Sequence, residues 1–199
     1  MADPTTAPVL DLSQHFLLAM PGLEDDAFAG SLVYICEHTD EGALGICVNK
    51  PNKMVIDDLF EQMRWPLLRT DLKGRKILWG GPVHEERGFV LHEAVVDPAN
   101  GEPVYSGSLT MPDGLQMTTS RDILEQVSGG HGPEKMLVAL GCASWDKGQL
   151  EQEIADNSWL TLPANKRIIF DVPMAERYNS ALGMLGITPG SLAYTSGRA

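Results

Sequence analysis

A mixed α+β fold in a single compact domain is what this chain predicts, and three observations carry the prediction. Helical and strand-like periods follow one another without the regular alternation of a doubly wound parallel sheet. Several strand-like runs are joined by short turn sequences, as hairpins. No repeat, low-complexity block or linker divides the 199 residues. With 43% hydrophobic residues, a chain of this length buries roughly 70% of its unfolded surface around one core. Polar tails are expected over 1–12 and 191–199, with the domain over 13–190.

The elements follow in order. HFLLAM at 15–20 reads as a strand stopped by Pro21 and Gly22. SLVYICEHTDEGALGICVNKP reads as a hairpin turning at Thr39 to Gly42 and ended by Asn49 and Pro51; a turn centred near Glu41 and Gly42 sets Cys36 about opposite Cys47. VIDDLFEQMRW places Ile56, Leu59, Phe60 and Met63 at helical spacing, with Pro66 closing the helix. Ile77 to Trp79 and Gly88 to His92 are strand-like runs on either side of Gly80, Gly81 and Pro82. DPANGEPVYSGS then suits a surface loop.

TTSRDILEQVSGG predicts a helix with Thr119 and Asp122 as a capping pair and Gly129 or Gly130 as its left-handed stop. MLVAL is a buried strand, and GQLEQEIADNSW a helix with Asp146 and Gln149 as a second capping pair. Cys142 stands at the expected corner between them. RIIFDVP reads as a short strand, and Pro173 opens a last helix that carries Tyr178, Leu182 and Leu185 inward, with Gly186 past its end.

Charge narrows the classes of partner. Lys and Arg number 15 against 27 Asp and Glu, a net charge of -12 that repels polyphosphate, and no basic helix-turn-helix pair is visible. Direct nucleic-acid binding is therefore disfavoured. Three cysteines at 36, 47 and 142 form neither a disulfide framework nor a CxxC zinc pattern, which favours a reducing compartment. The start MADPTTAPVLDLSQ lacks a signal-peptide pattern, and no segment approaches the ~20 apolar residues of a membrane helix, so a soluble cytoplasmic protein is expected.

The remaining constellations are weighed residue by residue. A thiol at a helix N-terminus is favoured as thiolate, which makes Cys142 the one candidate nucleophile or redox sensor; Asp146, Glu151 and Glu153 nearby oppose that ionisation, and burial is common for cysteine. GCASW lacks the second glycine of a nucleophile elbow. Cys36, His38 and Cys47 offer three metal ligands but no fourth, and HEERGFVLHE has Gly88 where a metalloprotease helix needs its second histidine. GGHGPEK follows a helix and precedes a strand, the reverse of a phosphate loop. No cofactor or metal is expected.

Taken together, HFLLAMPGL, SLVYICEHTDEGALGICVNKP, GGPV, RGFVLH, SRDIL, GPEK and the run from Trp145 through GQLEQEIADNSWL to FDVP resemble the YqgE/AlgH family of bacterial proteins over nearly the whole chain. The resemblance implies a mixed, partly bifurcated sheet curled toward a barrel and flanked by helices. It implies an uncharacterised family, usually labelled a transcriptional regulator from an association with alginate regulation, and supplies no catalytic residues. This chain departs from the family's pattern at the corner, where an aromatic tends to precede Ala-Gly-Trp and Cys142 and Ser144 stand instead.

The reading these residues favour is a protein that works by binding a protein partner or small ligand rather than by catalysis. Its candidate surface gathers Gly80, Gly81, Pro82, Arg87, His92, Trp145 and Gln149, turn and ring residues suited to recognition. Thiol chemistry at Cys142 and direct DNA binding are the alternatives.

Overall fold

β9, Met136–Asp146, is the strand on which the whole architecture divides. A computed structural model of the chain describes residues 10–23 and 25–195. Residues 1–9 of the expected N-terminal tail and 196–199 of the C-terminal one lie outside them. The strands before β9 are β1 (His15–Ala19), β2 (Leu32–Thr39), β3 (Gly42–Cys47), β4 (Pro51–Val55), β5 (Lys76–Trp79), β6 (Val83–Glu93), β7 (Ser108–Thr110) and β8 (Leu115–Thr118); β10 (Trp159–Pro163) comes after it. The helices are α1 (Ile56–Met63), α2 (Asp122–Ser128), α3 (Gln149–Ala155), α4 (Lys166–Phe170), α5 (Arg177–Met184) and α6 (Pro189–Thr195).

The main path of the sheet runs β10-β1-β2-β3-β9-β6-β8-β7, antiparallel throughout. Along β9 the sheet forks: Ala143 to Asp146 pair with β3, whereas Met136 to Leu140 pair with β6, and Ala139 and Leu140 also pair in parallel with β5, which carries β4 on its far side. That one parallel pairing makes the sheet mixed. The fork lets it curl into a half-barrel around Phe16, Leu18, Tyr34, Ile46 and Leu91, closed by Ile168 and Ile169 of α4 and Ala181 and Leu182 of α5. Alternate residues of β1 and β2, Leu17, Val33 and Ile35, point to the other face, where α3 and two tryptophans cover them. A third cluster packs α1 and α2 on Val90 and Val138 through Ile56, Phe60, Ile123 and Val127.

Local chemistry accounts for several element ends. Asp58 Oδ2 accepts the Val55 N–H at 3.0 Å, holding the start of α1, and the helix ends when Arg64 turns left-handed at φ 58, before Pro66. Gly130, at φ 87, supplies the left-handed stop after α2.

Six expectations are corrected. RIIF is helix α4: the β1–β10 pairing runs on to the Ala164 N–H to Gln14 O bond (2.9 Å), and Asn165 Oδ1 then caps the Arg167 N–H at 2.9 Å. The helix after β9 stops at Ala155 and the chain reverses at Asn157, φ 58, releasing Trp159 as the first residue of β10 rather than the last of a helix. Thr119 does not cap α2; the Asp122 carboxylate instead takes the N–H groups of Ser106 and Ile123 and the Ser120 hydroxyl. The hairpin turns at Asp40 and Glu41, with Thr39 facing Gly42, and a bulge between Ile35 and Glu37 shifts the β2–β3 register by one more residue, so Val33 and not Cys36 faces Cys47, and the two thiols enter different clusters. Leu185 falls just past the end of α5 and is exposed, while Ala181, Leu182 and Arg177 of the helix are buried. Finally, no strand-to-helix corner exists at Cys142: β9 continues to Asp146, and Gly148, φ 74, precedes α3.

Candidate functional site

The Gly80-Gly81-Pro82 turn crosses β9 at contact distance. A Cβ on Gly80 would lie 2.2 Å from the Gly141 carbonyl oxygen, and one on Gly81, at φ 149, would lie 2.2 Å from the Cys142 carbonyl carbon. Only glycine permits this approach, which the Gly80 N–H to Leu140 O bond (2.9 Å) and the Cys47 N–H to Gly80 O bond (2.8 Å) hold in place. Beyond the turn, Val83 pairs with Cys142 but the next pairing is Gly88 with Leu140, so His84 to Arg87 bulge away from the sheet as an exposed arm.

Cys142 lies under that arm. Its side chain is buried and its thiol is pushed up by burial, an effect the Arg87 charge only partly offsets. The Cys36 and Cys47 thiols are raised as well, again chiefly by burial. Arg87 itself rests its guanidinium 5.9 Å from the centre of the Phe89 ring.

Beside the turn, Trp79 begins an aromatic box. Phe28, the buried residue of the short 3-10 turn Asp26–Phe28, has its ring centre 5.6 Å from Trp79, 5.5 Å from Trp159 and 6.2 Å from Trp145. Trp145 and Trp159 meet edge to face at 6.0 Å. Each indole N–H is taken by a carboxylate: Trp79 by Glu85 at 3.0 Å, and Trp145 and Trp159 by the same Glu153 oxygen at 2.9 and 2.8 Å. Gln149 donates to the other Glu153 oxygen at 2.9 Å and accepts the Asp146 N–H at 3.0 Å, which is one arm of the capping pair expected from sequence. Asn49 Nδ2 and Lys50 Nζ donate to the carbonyls of Gly30 (2.8 Å) and Ala27 (2.6 Å), tying the Phe28 turn to the end of β3.

Of the predicted surface, the structure therefore brings Gly80, Gly81 and Pro82 beside the box and Trp145 and Gln149 into it, while Arg87 rests on Phe89 of the half-barrel core. Trp145 is 5% exposed, so it serves as a wall rather than a free recognition ring. His92 is a correction: it is fully buried at the other end of β6. A carbonyl only accepts, so the bond of His92 Nδ1 to Glu93 O (2.7 Å) is a donation, and in the neutral ring Nε2 accepts from Thr118 Oγ1 at 2.8 Å. Burial lowers its pKa and favours that neutral ring. Sequence reasoning missed Phe28, Trp79, Trp159, Glu153 and Lys50, which lie far apart along the chain; the concentration of three of four tryptophans near turns was the one available signal.

Two hollows flank the box. One of about 450 Å³ is lined by Gly22, Leu23, Asp25, Glu153, Asp156 and Ser158. The other, of about 310 Å³, is lined by Lys50, Pro51, Asn52, Lys53 and Trp79. The first is lined mainly by polar and acidic groups, and the second has Trp79 as its one aromatic wall. Among the described residues no helix is long and apolar enough to cross a membrane.

Residues 16–190 match the family model described as AlgH-like, DUF179. The chain is 50% identical over 195 residues to a UPF0301 protein of Polaromonas sp. strain JS666, covering 98% of this chain and 99% of that one. It is 48% identical to a UPF0301 protein of Delftia acidovorans, with 98% of each covered. Among solved structures, the solution structure of the AlgH protein from Pseudomonas aeruginosa superposes with a TM-score of 0.74 at 37% identity, covering 100% of this chain and 98% of that one. A crystal structure from Corynebacterium diphtheriae, TM-score 0.68 at 21% identity and covering 100% and 95% of the two chains, shares the fold.

Proposed function

The chain belongs to the AlgH-like family, and on that premise we propose that it is a non-catalytic regulatory or accessory protein of the cytoplasm that works by binding. What supports this reading above all is the aromatic box: three tryptophan rings set on three different strands, with every indole N–H already held by a carboxylate. Such an arrangement fixes ring positions and leaves no proton or nucleophile poised for chemistry. The binding face runs from the His84 to Arg87 arm across Trp79 to Gln149, with a protein partner or a small ligand as its target. Regulation of transcription, if exercised, then passes through that partner or ligand, in keeping with a net charge of -12.

The test is affinity capture with the wild-type chain alongside a variant carrying Trp79→Ala, Arg87→Ala and Gln149→Ala, with folding checked by circular dichroism. A partner retained by the wild type and lost by the folded variant is the expected result. Equal retention by both chains removes the assignment to this face.

A further inference from the structure

The hollow at Lys50, Pro51, Asn52, Lys53 and Trp79 differs in charge from its neighbours. Three other cavities stand out among the described residues, and carboxylates line each: Glu37 and Glu41 in one, Asp71, Glu134 and Asp171 beside Arg75 and Lys135 in the second, Asp25, Glu153 and Asp156 in the third. The Lys50 hollow has two ammonium groups and no acidic lining. Between Lys50 and Lys76 the chain carries seven of its 15 cations against four carboxylates, although the chain as a whole is strongly acidic. The buried guanidinium of Arg177, 5% exposed, donates to the carbonyls of Val48 (2.6 Å), two residues before Lys50, and of Val172 (3.0 Å), and among the described residues no carboxylate pairs with it.

Lys50 gives one N–H to the Ala27 carbonyl (2.6 Å) and sets its ammonium 5.4 Å from the centre of the Trp79 ring, which leaves it two further N–H groups to donate beside that ring. Asn52 uses its oxygen to accept the Met54 N–H at 3.1 Å, which leaves its amide N–H groups to donate outward. Lys53 is exposed and forms no ion pair among the described residues. Trp79 is pinned through Nε1 to Glu85, so its ring is a fixed wall. A volume of about 310 Å³ is at the small end of ligand sites, which run from roughly 300 to 1,000 Å³.

We infer that this hollow binds a small planar anion, an aromatic ring bearing a carboxylate or a phosphate, with the ring against Trp79 and the anionic group between Lys50, Lys53 and the Asn52 amide. The inference rests on the binding role proposed above and names the ligand class at one end of that face. A carboxylate and a phosphate present the same charge-assisted acceptors to lysine.

The experiment is a titration of the isotopically labelled full chain with benzoate, phenyl phosphate, inorganic phosphate and phenol, read from backbone amide and indole N–H resonances at low and at physiological salt. Expected are shifts at residues 50–53 and at the Trp79 indole with benzoate or phenyl phosphate, weakened by salt, with the stronger of the two identifying the source of the anion. Lys53→Glu should reduce that affinity at least tenfold, and Lys147→Glu, an equal change of charge at a distant exposed site, should leave it within twofold. Phenol binding as well as the anions, equal affinity in Lys53→Glu, or no shift in this region with any probe overturns the inference. If the anions fail while the Trp79, Arg87 and Gln149 variant still loses its captured partner, the binding role stands and only the ligand class falls.

Discussion

Trp145 and Trp159 donate their indole N–H groups to a single oxygen, Oε2 of Glu153, at 2.9 and 2.8 Å. One helix residue thus fixes two rings on two strands, β9 and β10, that do not pair with each other in the sheet. The geometry ties α3 to both and sets the rigidity of the aromatic box.

Replacing Glu153 with Gln keeps the shape but removes the charge that both indoles share. Hydrogen bonds to charged groups contribute about 1.5–3 kcal/mol, so Glu153→Gln should destabilise the protein by ~1–3 kcal/mol and shift the tryptophan emission of the native state. Urea unfolding followed by fluorescence measures both. Unchanged stability and emission would show that Glu153 does not organise the box.

The glycine turn permits a sharper contrast. Gly81→Ala drives a methyl group into the Cys142 backbone at a positive φ and should cost more than ~4 kcal/mol, or prevent folding. Gly88→Ala, in the same strand region with nothing within 4 Å of the added carbon, should be neutral or stabilising by about 0.5–1 kcal/mol. Expression yield and thermal midpoints of the pair decide between close approach and simple chain flexibility as the reason for glycine here.

His92 predicts a dependence of stability on pH. Burial lowers its folded pKa below the ordinary 6.5, so the unfolded chain binds the proton first as pH falls. Its neutral ring therefore contributes its full stability above about pH 6.5, and that stability is lost as pH drops through this value toward the folded pKa. Lowered carboxylate pKa values, as at Asp71 and Asp122, act further down the scale. Urea midpoints between pH 7 and 5 should fall for the wild type, and the slope should flatten in His92→Gln.

All three thiols are buried and raised by burial, so none should behave as an activated cysteine. Alkylation of the native protein, followed by mass spectrometry of the peptides carrying Cys36, Cys47 and Cys142, should be slow at pH 7 and accelerate on unfolding. Fast labelling of Cys142 with a midpoint well below the ~8.5 of a free thiol would restore a chemical role for it.

How much of this was legible depended on where the information lay. The β2–β3 hairpin, α1, α2 and the hydrophobic half of β9 declare themselves by period and punctuation, because each buries one regular stripe. Gln149 lies four residues from Trp145, so their association was readable from one short segment. Phe28 was not readable: it sits in an otherwise exposed turn with no periodic pattern, and only the fold sets it among rings from β5, β9 and β10. RIIF has strand-forming residues, yet one asparagine cap and the space beneath the half-barrel make it a helix. Cys142 was expected at a corner because it stands between the MLVAL run and the following helix; Gly141 instead makes room for the Gly81 crossing, and the strand continues past it.

By itself, then, the sequence determined the family and the mixed α+β class, since these follow from ordered local patterns. Only the tertiary structure decided that β9 divides between two branches of the sheet, that Cys142 is interior, and that Trp79, Trp145 and Trp159 share one box with Lys50 and Lys53 at its edge. Those outcomes rest on strand pairing and on contacts between residues far apart in the chain, which no local period encodes.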